Sequence, residues 1–285
     1  MLTKNTPTIS RPILRYHGGK WLLAKWIIEH FPSHRRYTEA FGGAASVLLQ
    51  KRRSYSEVYN DLCGEVVNLF RVVRDKDKAE QLKEMLQLTP YSRAEFDLSY
   101  ELANNEVEQA RRTVVRSFMG FGSASHNTSH KTGFRSNSDR SGTTPAHDWM
   151  NYPGNLNAIV ERLQGVVIEN RKAIDVLTAH DSIDTLHYVD PPYVLNTRYN
   201  GDKTNCYNFE MNDDEHVQLA EILHSLNGMV VLSGYACELY DLELYADWKR
   251  VTRAAHADGA RERVEVLWLN RAAARNLNTT LDLFN

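Results

Sequence analysis

The sequence predicts an α/β fold in which helices cover a mostly parallel β-sheet and a mainly helical segment is inserted between the two halves of the sheet. Two stretches, residues 15–70 and 166–269, alternate short apolar runs with helical patterns, which is typical of such sheets. The interval between them, residues 71–157, combines charged helical sequence with a long loop rich in Gly, Ser and Asn. The chain has 285 residues, 42% of them hydrophobic, which suits one large domain carrying an inserted module.

The two sheet-forming stretches divide into predicted strands and helices. The first is predicted to contain helices over residues 21–30 and 45–51 and strands over residues 37–40 and 57–60. The second is predicted to contain strands over residues 166–169, 186–189, 229–232 and 264–269, and an amphipathic helix over residues 213–226. In the interval, helices are predicted over residues 75–88, 91–102 and 107–118, followed by a turn-rich loop over residues 120–142.

Composition argues against several classes of protein. The first 13 residues are polar and contain prolines, so we expect neither a secretory signal nor a membrane anchor, and no later stretch approaches the ~20 apolar residues of a transmembrane helix. The three cysteines form no CxxC pair, so we expect a reducing cytosolic environment and neither disulfides nor a zinc knuckle. The net charge of −2 is no global signature of nucleic-acid binding, so a basic surface for such a partner must be local.

The sharpest chemical signal is the tetrapeptide Asp190-Pro191-Pro192-Tyr193, which directly follows a predicted strand. Ligands of open α/β sheets bind beyond the carboxyl ends of the strands, and a double proline holds a rigid turn there. A carboxylate and a fixed carbonyl can accept hydrogen bonds from an exocyclic amine, and an aromatic ring can stack on a heterocycle. These features suit an extruded nucleobase. Taken alone, the four residues fit an ordinary Asp-Pro turn equally well.

Two further segments lie upstream. Residues 39–46, Glu-Ala-Phe-Gly-Gly-Ala-Ala-Ser, occur where a strand turns into a helix, so that glycines and free amides can face a ligand. They match neither GxGxxG nor a Walker loop, which disfavours a nicotinamide cofactor. Asp61 ends the next predicted strand, about 20 residues after the glycines, at the spacing of an acid that binds ribose hydroxyls. Residues 15–20, Arg-Tyr-His-Gly-Gly-Lys, can hold a ligand carboxylate, although a plain loop explains them better when they are taken alone.

The sequence resembles the DNA adenine methylase family over nearly the whole chain. The resemblance rests on the order of five features: the Gly-Gly-Lys segment, the glycine loop, Asp61, the inserted interval and Asp-Pro-Pro-Tyr. The resemblance implies a Rossmann-like, S-adenosylmethionine-dependent methyltransferase sheet formed by residues 1–70 and 158–285. It implies a mainly helical target-recognition domain, residues 71–157, inserted between the two halves. The implied reaction transfers a methyl group to N6 of an adenine flipped out of double-stranded DNA.

Residue roles carry over from the same resemblance. The implied cofactor-binding residues are Tyr16, Lys20, Glu39, Phe41, Gly43, Asp61 and Asp190. Lys20 would contact the cofactor carboxylate and Asp61 its ribose. The implied catalytic residues are Asp190, Pro191, Pro192 and Tyr193. Asp190 and the Pro191 carbonyl would accept from N6 and Tyr193 would stack on the base, so that positioning rather than a strong base promotes transfer.

The resemblance also implies DNA contacts in two basic regions. The candidates in the insertion are Arg116, Lys131 and Arg135, and those in a predicted hairpin over residues 259–263 are Arg261 and Arg263. The sequence departs from the family in two places. Ala40 and Ala45 stand where many relatives have Pro and Gly, and residues 116–127 lack the Asn-Arg-Tyr-Gly pattern of GATC-specific members, which leaves the target sequence open.

Several alternatives remain open at this point. The same chemistry would serve N4-cytosine, RNA or protein amide methylation, and a homologue that binds DNA without catalysis is a further possibility. Asp before Pro-Pro and the inserted interval favour adenine, and the intact motifs favour an active enzyme. No metal is expected, because His126 and His130 lie in a polar loop and no HExxH occurs. Residues 196–212 form either a lid over DNA or a surface loop, and the oligomeric state is open, with a monomer plausible.

Overall fold

The computed structural model describes residues 9–122, 131–136, 143–198, 209–257 and 261–282, without the side chains of residues 255–257, 261–263 and 278–282. Within these residues one sheet has seven strands: β1 (Arg36–Glu39), β2 (Ser56–Asn60), β3 (Val166–Glu169), β4 (Thr185–Val189), β5 (Met229–Tyr235), β6 (Lys249–Ala257) and β7 (Arg261–Leu269). Their spatial order is β3-β2-β1-β4-β5-β7-β6. Strands β1 to β5 pair in parallel with one another, whereas β7 runs antiparallel to β5 and to β6.

Helices cover both faces of this sheet. They are α1 (Ala24–Glu29), α2 (Ser46–Gln50), α3 (Gly64–Arg74), α4 (Lys76–Leu88), α5 (Arg93–Leu98), α6 (Glu106–Met119), α7 (Pro145–Met150), α8 (Leu156–Leu163), α9 (Ala173–Ala179), α10 (Asp213–Ser225) and α11 (Arg271–Asp282). Short 3-10 turns occur at Pro153–Asn155 and Leu195–Thr197, and a π-helical segment at Leu239–Leu244. None of the helices in the described ranges is both long and apolar enough to span a bilayer.

The predicted α/β architecture is confirmed. Strand β3 has the predicted bounds, and helix α10 begins where predicted, with Asn212 as its cap in a reciprocal pair with Glu215. The helix predicted over residues 91–102 is wrong at both ends. Ser92 caps α5, and the Ser99 hydroxyl donates to the Phe96 carbonyl (2.6 Å) where the helix stops. Several elements had no counterpart among the predicted ones: helices α3, α7, α8, α9 and α11 and strand β6.

Buried apolar side chains form two clusters separated by the sheet. In β5, Met229 and Val231 belong to one cluster and Val230 and Leu232 to the other, as the alternation of a strand requires. The larger cluster contains residues of α1, α2, α3, α6 and α8, and the smaller one contains residues of α9, α10 and β7. The sheet is therefore buried on both faces, which fits its fully buried central strand β4.

The predicted limits of the insertion lie inside helices of this core. Residues 70 and 71 are part of α3, and residues 157 and 158 are part of α8. Both helices contribute to the larger cluster together with the sheet residues Tyr37 and Tyr59. The insertion thus shares its hydrophobic core with the sheet, and the division into two domains stays a prediction.

Residues of the insertion also hold the segment before α1. The backbone of Arg15 makes two hydrogen bonds with the Ser117 hydroxyl, each 2.8 Å, one from its N–H and one to its carbonyl. Tyr152 donates to the Ile13 carbonyl at 2.8 Å, and Asn155 donates to the Arg11 carbonyl at 2.9 Å. Because residues 16–20 follow directly, the insertion determines where the Gly-Gly-Lys segment lies.

Candidate active site

A cavity of about 460 Å³ lies at the carboxyl ends of the parallel strands. Its position is the one expected for a ligand, because the strand order reverses between β1 and β4. Its walls include all of the residues predicted to bind a cofactor: Tyr16, Lys20, Glu39, Phe41, Gly43, Asp61 and Asp190. The structure therefore brings together side chains from four separate segments of the chain.

The glycine loop after β1 is folded tightly against β2. A Cβ at Gly42 would lie within 3.0 Å of the Tyr59 ring, and one at Gly43 would lie 2.8 Å from the Tyr16 ring. Gly43 also has a φ of +48°, a conformation that favours glycine. The Tyr59 hydroxyl donates to the Gly43 carbonyl (2.7 Å), so the loop is held in this shape. Ala45, a departure from the family pattern, likewise has a positive φ of 51° just before α2.

Glu39 ends β1 with its carboxyl group in the cavity wall. It is 2% exposed, and one oxygen accepts from the Tyr37 hydroxyl (2.7 Å) and from the Leu48 amide (2.9 Å). Burial raises the pKa of Glu39 to about 8, against these hydrogen bonds. A cationic group of a ligand would stabilise the charged carboxylate at this position.

Asp61 supports the glycine loop from the end of β2. Its two oxygens accept from the amides of Gly43 and Cys63, each at 2.7 Å. Burial raises its pKa, while these backbone hydrogen bonds act in the opposite direction. Each carboxylate oxygen has a second lone pair, so the group can still accept from a ligand hydroxyl.

Asp190 follows β4 and pairs with Lys20, whose Nζ lies 3.0 Å from its Oδ1. Lys20 is 6% exposed and also donates to the Gly18 carbonyl at 2.8 Å. Burial raises the pKa of Asp190 to about 6, although Lys20 lowers it. The expected contact of Lys20 with a ligand carboxylate stays a prediction, since the ammonium group already lies between acidic neighbours.

The rest of the tetrapeptide is divided between the cavity and the core. Pro192 lines the cavity, whereas Pro191 and Tyr193 are not among the described residues that do so. Tyr193 is 7% exposed, its hydroxyl donates to Glu265, and its ring meets Tyr235 edge-on at 4.6 Å between centroids. Base stacking by Tyr193 therefore stays a prediction. In the structure the contacts with Glu265 and Tyr235 hold the ring in the core beside the cavity.

Sequence reasoning missed two acidic residues near the tetrapeptide. Glu265 of β7 is 3% exposed and lies 3.7 Å from the Lys20 Nζ; its signal in the sequence was a single acid within the apolar run of residues 264–269. Glu210 lines the cavity and pairs with Arg198 at 2.8 Å, and Arg198 in turn donates to the Tyr193 carbonyl. This pair joins the two ends of the predicted lid, of which residues 199–208 are outside the described residues.

The residues of the insertion that were predicted to contact DNA differ in their exposure and in their partners. The prediction that Arg116 contacts DNA is wrong, because this residue is 0% exposed, pairs with Glu65 and donates to the Ser99 carbonyl (2.6 Å). Lys131 is half exposed and lies 2.9 Å from Asp97. Arg135 is anchored by its backbone, which donates to the Met119 carbonyl (2.7 Å) and accepts from the Tyr91 hydroxyl (2.6 Å).

The remaining predicted contacts lie at the sheet edge. Arg261 and Arg263 belong to β7, where they pair with Ala257 and Ala255 of the antiparallel strand β6. Residues 258–260 and both arginine side chains lie outside the described residues, so the hairpin predicted over residues 259–263 stays a prediction. His126 and His130 also lie outside them, and in the ranges that are described no three His, Cys, Asp or Glu side chains form a group able to hold a metal.

The sheet order, with an antiparallel seventh strand and a cavity at the switch point, defines the class of Rossmann-like methyltransferases. A family model described as D12 class N6 adenine-specific DNA methyltransferase matches residues 16–256. Because this match covers most of the chain, the protein belongs to that family and is a site-specific adenine DNA methyltransferase. No curated protein matches the chain significantly. Methyltransferases of this family generally use S-adenosylmethionine, and their substrate is DNA.

Proposed function

We propose that the 460 Å³ cavity binds S-adenosylmethionine and that Asp190 receives the N6 amine of an adenine flipped out of double-stranded DNA. One observation carries this proposal: Asp190 lies in the wall of the same cavity as the glycine loop and Asp61. The residue suited to an exocyclic amine and the residues suited to a nucleoside cofactor are therefore neighbours. Such extrusion is how enzymes reach a base that is buried in a duplex.

The residues in the wall fit this cofactor. Glu39 offers a buried carboxylate for the ammonium group of the methionine part, and Asp61 offers acceptor oxygens for ribose hydroxyls. The close approach of Gly42 and Gly43 to aromatic rings leaves backbone rather than side chains along the wall. Tyr16 and Phe41 supply aromatic surface beside them. When bound, the cofactor supplies an already activated methyl group on a sulfonium.

The chain's contribution to the reaction is then mainly positioning. The Asp190 carboxylate and the Pro191 carbonyl accept hydrogen bonds from the amine and orient its lone pair. Lys20 restrains the Asp190 carboxylate at 3.0 Å and offsets part of its charge. A strong base is unnecessary, since Asp190 stabilises the charge that develops on the amine and takes up its proton late.

We further propose that the insertion, residues 71–157, reads the DNA target through Lys131 and Arg135, with Arg261 and Arg263 on phosphate. The segment holding Arg135 is tied to the end of α6 by a bridge between Gly120 and Phe134. Phe121 donates to the Gly133 carbonyl at 2.7 Å in the same bridge. A rigid backbone carrying a cation at the surface suits a contact that positions DNA.

Two variants test the separation of these roles. Binding of S-adenosylhomocysteine is measured by calorimetry, and methyl transfer to genomic DNA by incorporation of radiolabel. Glu39→Gln is expected to weaken cofactor binding about tenfold or more, because a charge-assisted hydrogen bond is lost. Arg135→Ala is expected to leave cofactor affinity within about twofold and to lower kcat/KM for DNA about tenfold, the effect of one lost contact.

Each variant is the control for the other. Weaker cofactor binding in Arg135→Ala would place that residue in the wrong part of the site. Unchanged cofactor binding in Glu39→Gln would show that Glu39 does not bind the ammonium group of the cofactor.

A further inference from the structure

Glu265 is a buried carboxylate beside the proposed reaction centre that no motif includes. It lies in β7 opposite Tyr235 of β5, and it is 3% exposed in an otherwise apolar part of the strand. Burying a charge is costly unless hydrogen bonds and an opposite charge compensate it. The groups that compensate Glu265 therefore show what it does.

Within the described part of the chain, three groups meet the Glu265 carboxylate. The Tyr193 hydroxyl and the Ser233 hydroxyl (3.1 Å) both donate to its Oε1. The Lys20 Nζ lies 3.7 Å from the same oxygen. These contacts connect β7 to β5, to the turn after β4 and to the segment before α1.

Lys20 also connects Glu265 to Asp190. The ammonium group lies between the two carboxylates, at 3.0 Å from Asp190 and 3.7 Å from Glu265, and 4.5 Å from the centre of the Tyr193 ring. The Lys20 ammonium therefore interacts with both carboxylates, and its attraction to one carboxylate depends on the charge of the other. Glu265 is not among the described residues that line the cavity, whereas Lys20 and Asp190 both are, so Glu265 acts on a bound substrate only through them.

We propose that Glu265 is a positioning residue for methyl transfer, whose buried carboxylate holds Lys20 and Tyr193 and thereby sets the placement and charge of Asp190. This role rests on the proposed function of Asp190. The hydrogen bond from Tyr193 to Glu265 then fixes the position of the tetrapeptide against β7. Lys20 is shared between the acids, so that Asp190 keeps part of its capacity to accept a proton.

The charge of Glu265 and the charge of Lys20 act on Asp190 in opposite directions. Burial raises the pKa of Asp190 to about 6; Lys20 lowers this pKa, and Glu265 raises it. Other titratable groups that interact with Asp190 in the described structure include Glu39, Tyr188, Tyr193 and Tyr240. Burial raises the pKa of each tyrosine well above its ordinary value and that of Glu39 to about 8, so without a bound cofactor all four are uncharged across the acid range.

The test is the pH profile of kcat/KM for methyl transfer to DNA, which reports groups of the free enzyme. In the wild type, activity falls as pH decreases through about 6, where Asp190 becomes protonated. The acid limb of the profile is the pH range in which activity falls on acidification. Glu265→Gln removes a negative charge at nearly constant volume, so this limb should move down by about one pH unit, a tenfold change in the proton affinity of Asp190. Lys20→Met should move the limb up by a similar amount.

Ser233→Ala is the matched control, because it removes a hydrogen bond from Glu265 and leaves the charges in place. Its acid limb should coincide with that of the wild type. The position of the limb is the readout, since a packing defect lowers the plateau without moving the limb. A second comparison, of Lys20→Met/Glu265→Gln with Lys20→Met, tests the same shift of the limb without the single variant, because Lys20→Met leaves two buried acids without a cation and the double variant leaves only Asp190.

The outcomes are distinct. A limb that moves down on neutralising Glu265, in either background, supports the proposal. An unmoved limb in an enzyme that methylates adenine overturns the role of Glu265 and leaves the proposed function standing. Absence of methyl transfer by the wild type would instead overturn the proposed function itself.

Discussion

Gly42 has no room for a side chain, because a Cβ there would lie within 3.0 Å of three atoms of the Tyr59 ring. Tyr59 cannot move away freely, since it is fully buried and holds the Gly43 carbonyl by its hydroxyl. The shape of the glycine loop thus depends on the absence of one methyl group.

Gly42→Ala is expected to lower the free energy of unfolding by about 2–3 kcal/mol through overpacking, and to weaken S-adenosylhomocysteine binding. The control is Gly64→Ala at the start of α3, where nothing lies within 4 Å of the added Cβ. That change should alter stability by less than about 1 kcal/mol. Urea denaturation and calorimetry measure both quantities. Equal effects of the two substitutions would contradict the packing argument.

At this scale the sequence predicted the residues that lie near strand ends. Glu39, Asp61 and Asp190 each lie at the end of a parallel strand, and the carboxyl ends of such strands meet in space, so their convergence was predictable. The burial of Arg116 and the position of Glu265 were not predictable. They depend on partners far away in sequence, Glu65 for the first and Lys20 for the second.

Among the elements, β2 and α8 are joined by a buried charge network. Glu57 of β2 accepts from both terminal nitrogens of Arg162 in α8 (2.6 and 3.0 Å) and from Lys51 (2.6 Å). All three side chains are at most 4% exposed. Burial alone would raise the pKa of Glu57, but the hydrogen bonds from Arg162 and the charge of Lys51 outweigh it and lower this pKa. The network fixes α8, the helix in which the predicted insertion ends, against the sheet.

Glu57→Ala is expected to cost about 3–5 kcal/mol of stability, because it leaves two buried cations without a counter-charge. Glu80→Ala is the matched control. Glu80 pairs with Lys83 at 3.6 Å on α4 and its side chain is 63% exposed, so its loss should cost less than about 1 kcal/mol. Both values come from urea denaturation. A similar small loss in both variants would show that the buried network does not hold α8.

The elements themselves could be predicted in part. Strands with continuous apolar runs and helices with clear caps, such as β3 and α10, were predicted because their signals are local. Strand β6 begins with the exposed side chains of Lys249 and Arg250 and is defined by its pairing with β7, so no local pattern predicted it. The limits of the insertion were placed inside α3 and α8, because no local signal marks where a shared core ends.

For the molecule as a whole, burial shifts proton affinities in two opposing directions. At the proposed site, burial raises the pKa of Glu39, Asp61 and Asp190. Elsewhere in the core, burial lowers the pKa of His187 and His216. Acid therefore favours the folded state through the site carboxyls and disfavours it through the buried histidines.

His216 is a buried histidine whose protonation should measurably lower stability in acid. It is fully buried in α10, Tyr240 bonds its Nδ1 at 2.9 Å, and burial lowers its pKa to about 4. Its contribution to stability is complete above the unfolded value of 6.5 and is lost as pH falls from there towards 4, because the unfolded state binds the proton first. Between pH 7 and pH 5 this loss amounts to about 2 kcal/mol.

His216→Gln keeps a polar partner for Tyr240 and cannot take up a proton. The free energy of unfolding of this variant should therefore fall by about 2 kcal/mol less than that of the wild type between pH 7 and pH 5. Parallel pH curves for the two proteins would show that His216 is not buried as described.

We expect this chain to methylate adenine in DNA with Asp190 at the reacting amine. Incubation with tritium-labelled S-adenosylmethionine and mixed genomic DNA, followed by nucleoside analysis, measures this activity. We predict label in N6-methyladenine, and none with an Asp190→Ala variant that still binds S-adenosylhomocysteine. Label in N4-methylcytosine, or an unlabelled DNA with the cofactor bound to the wild type, would contradict the claim.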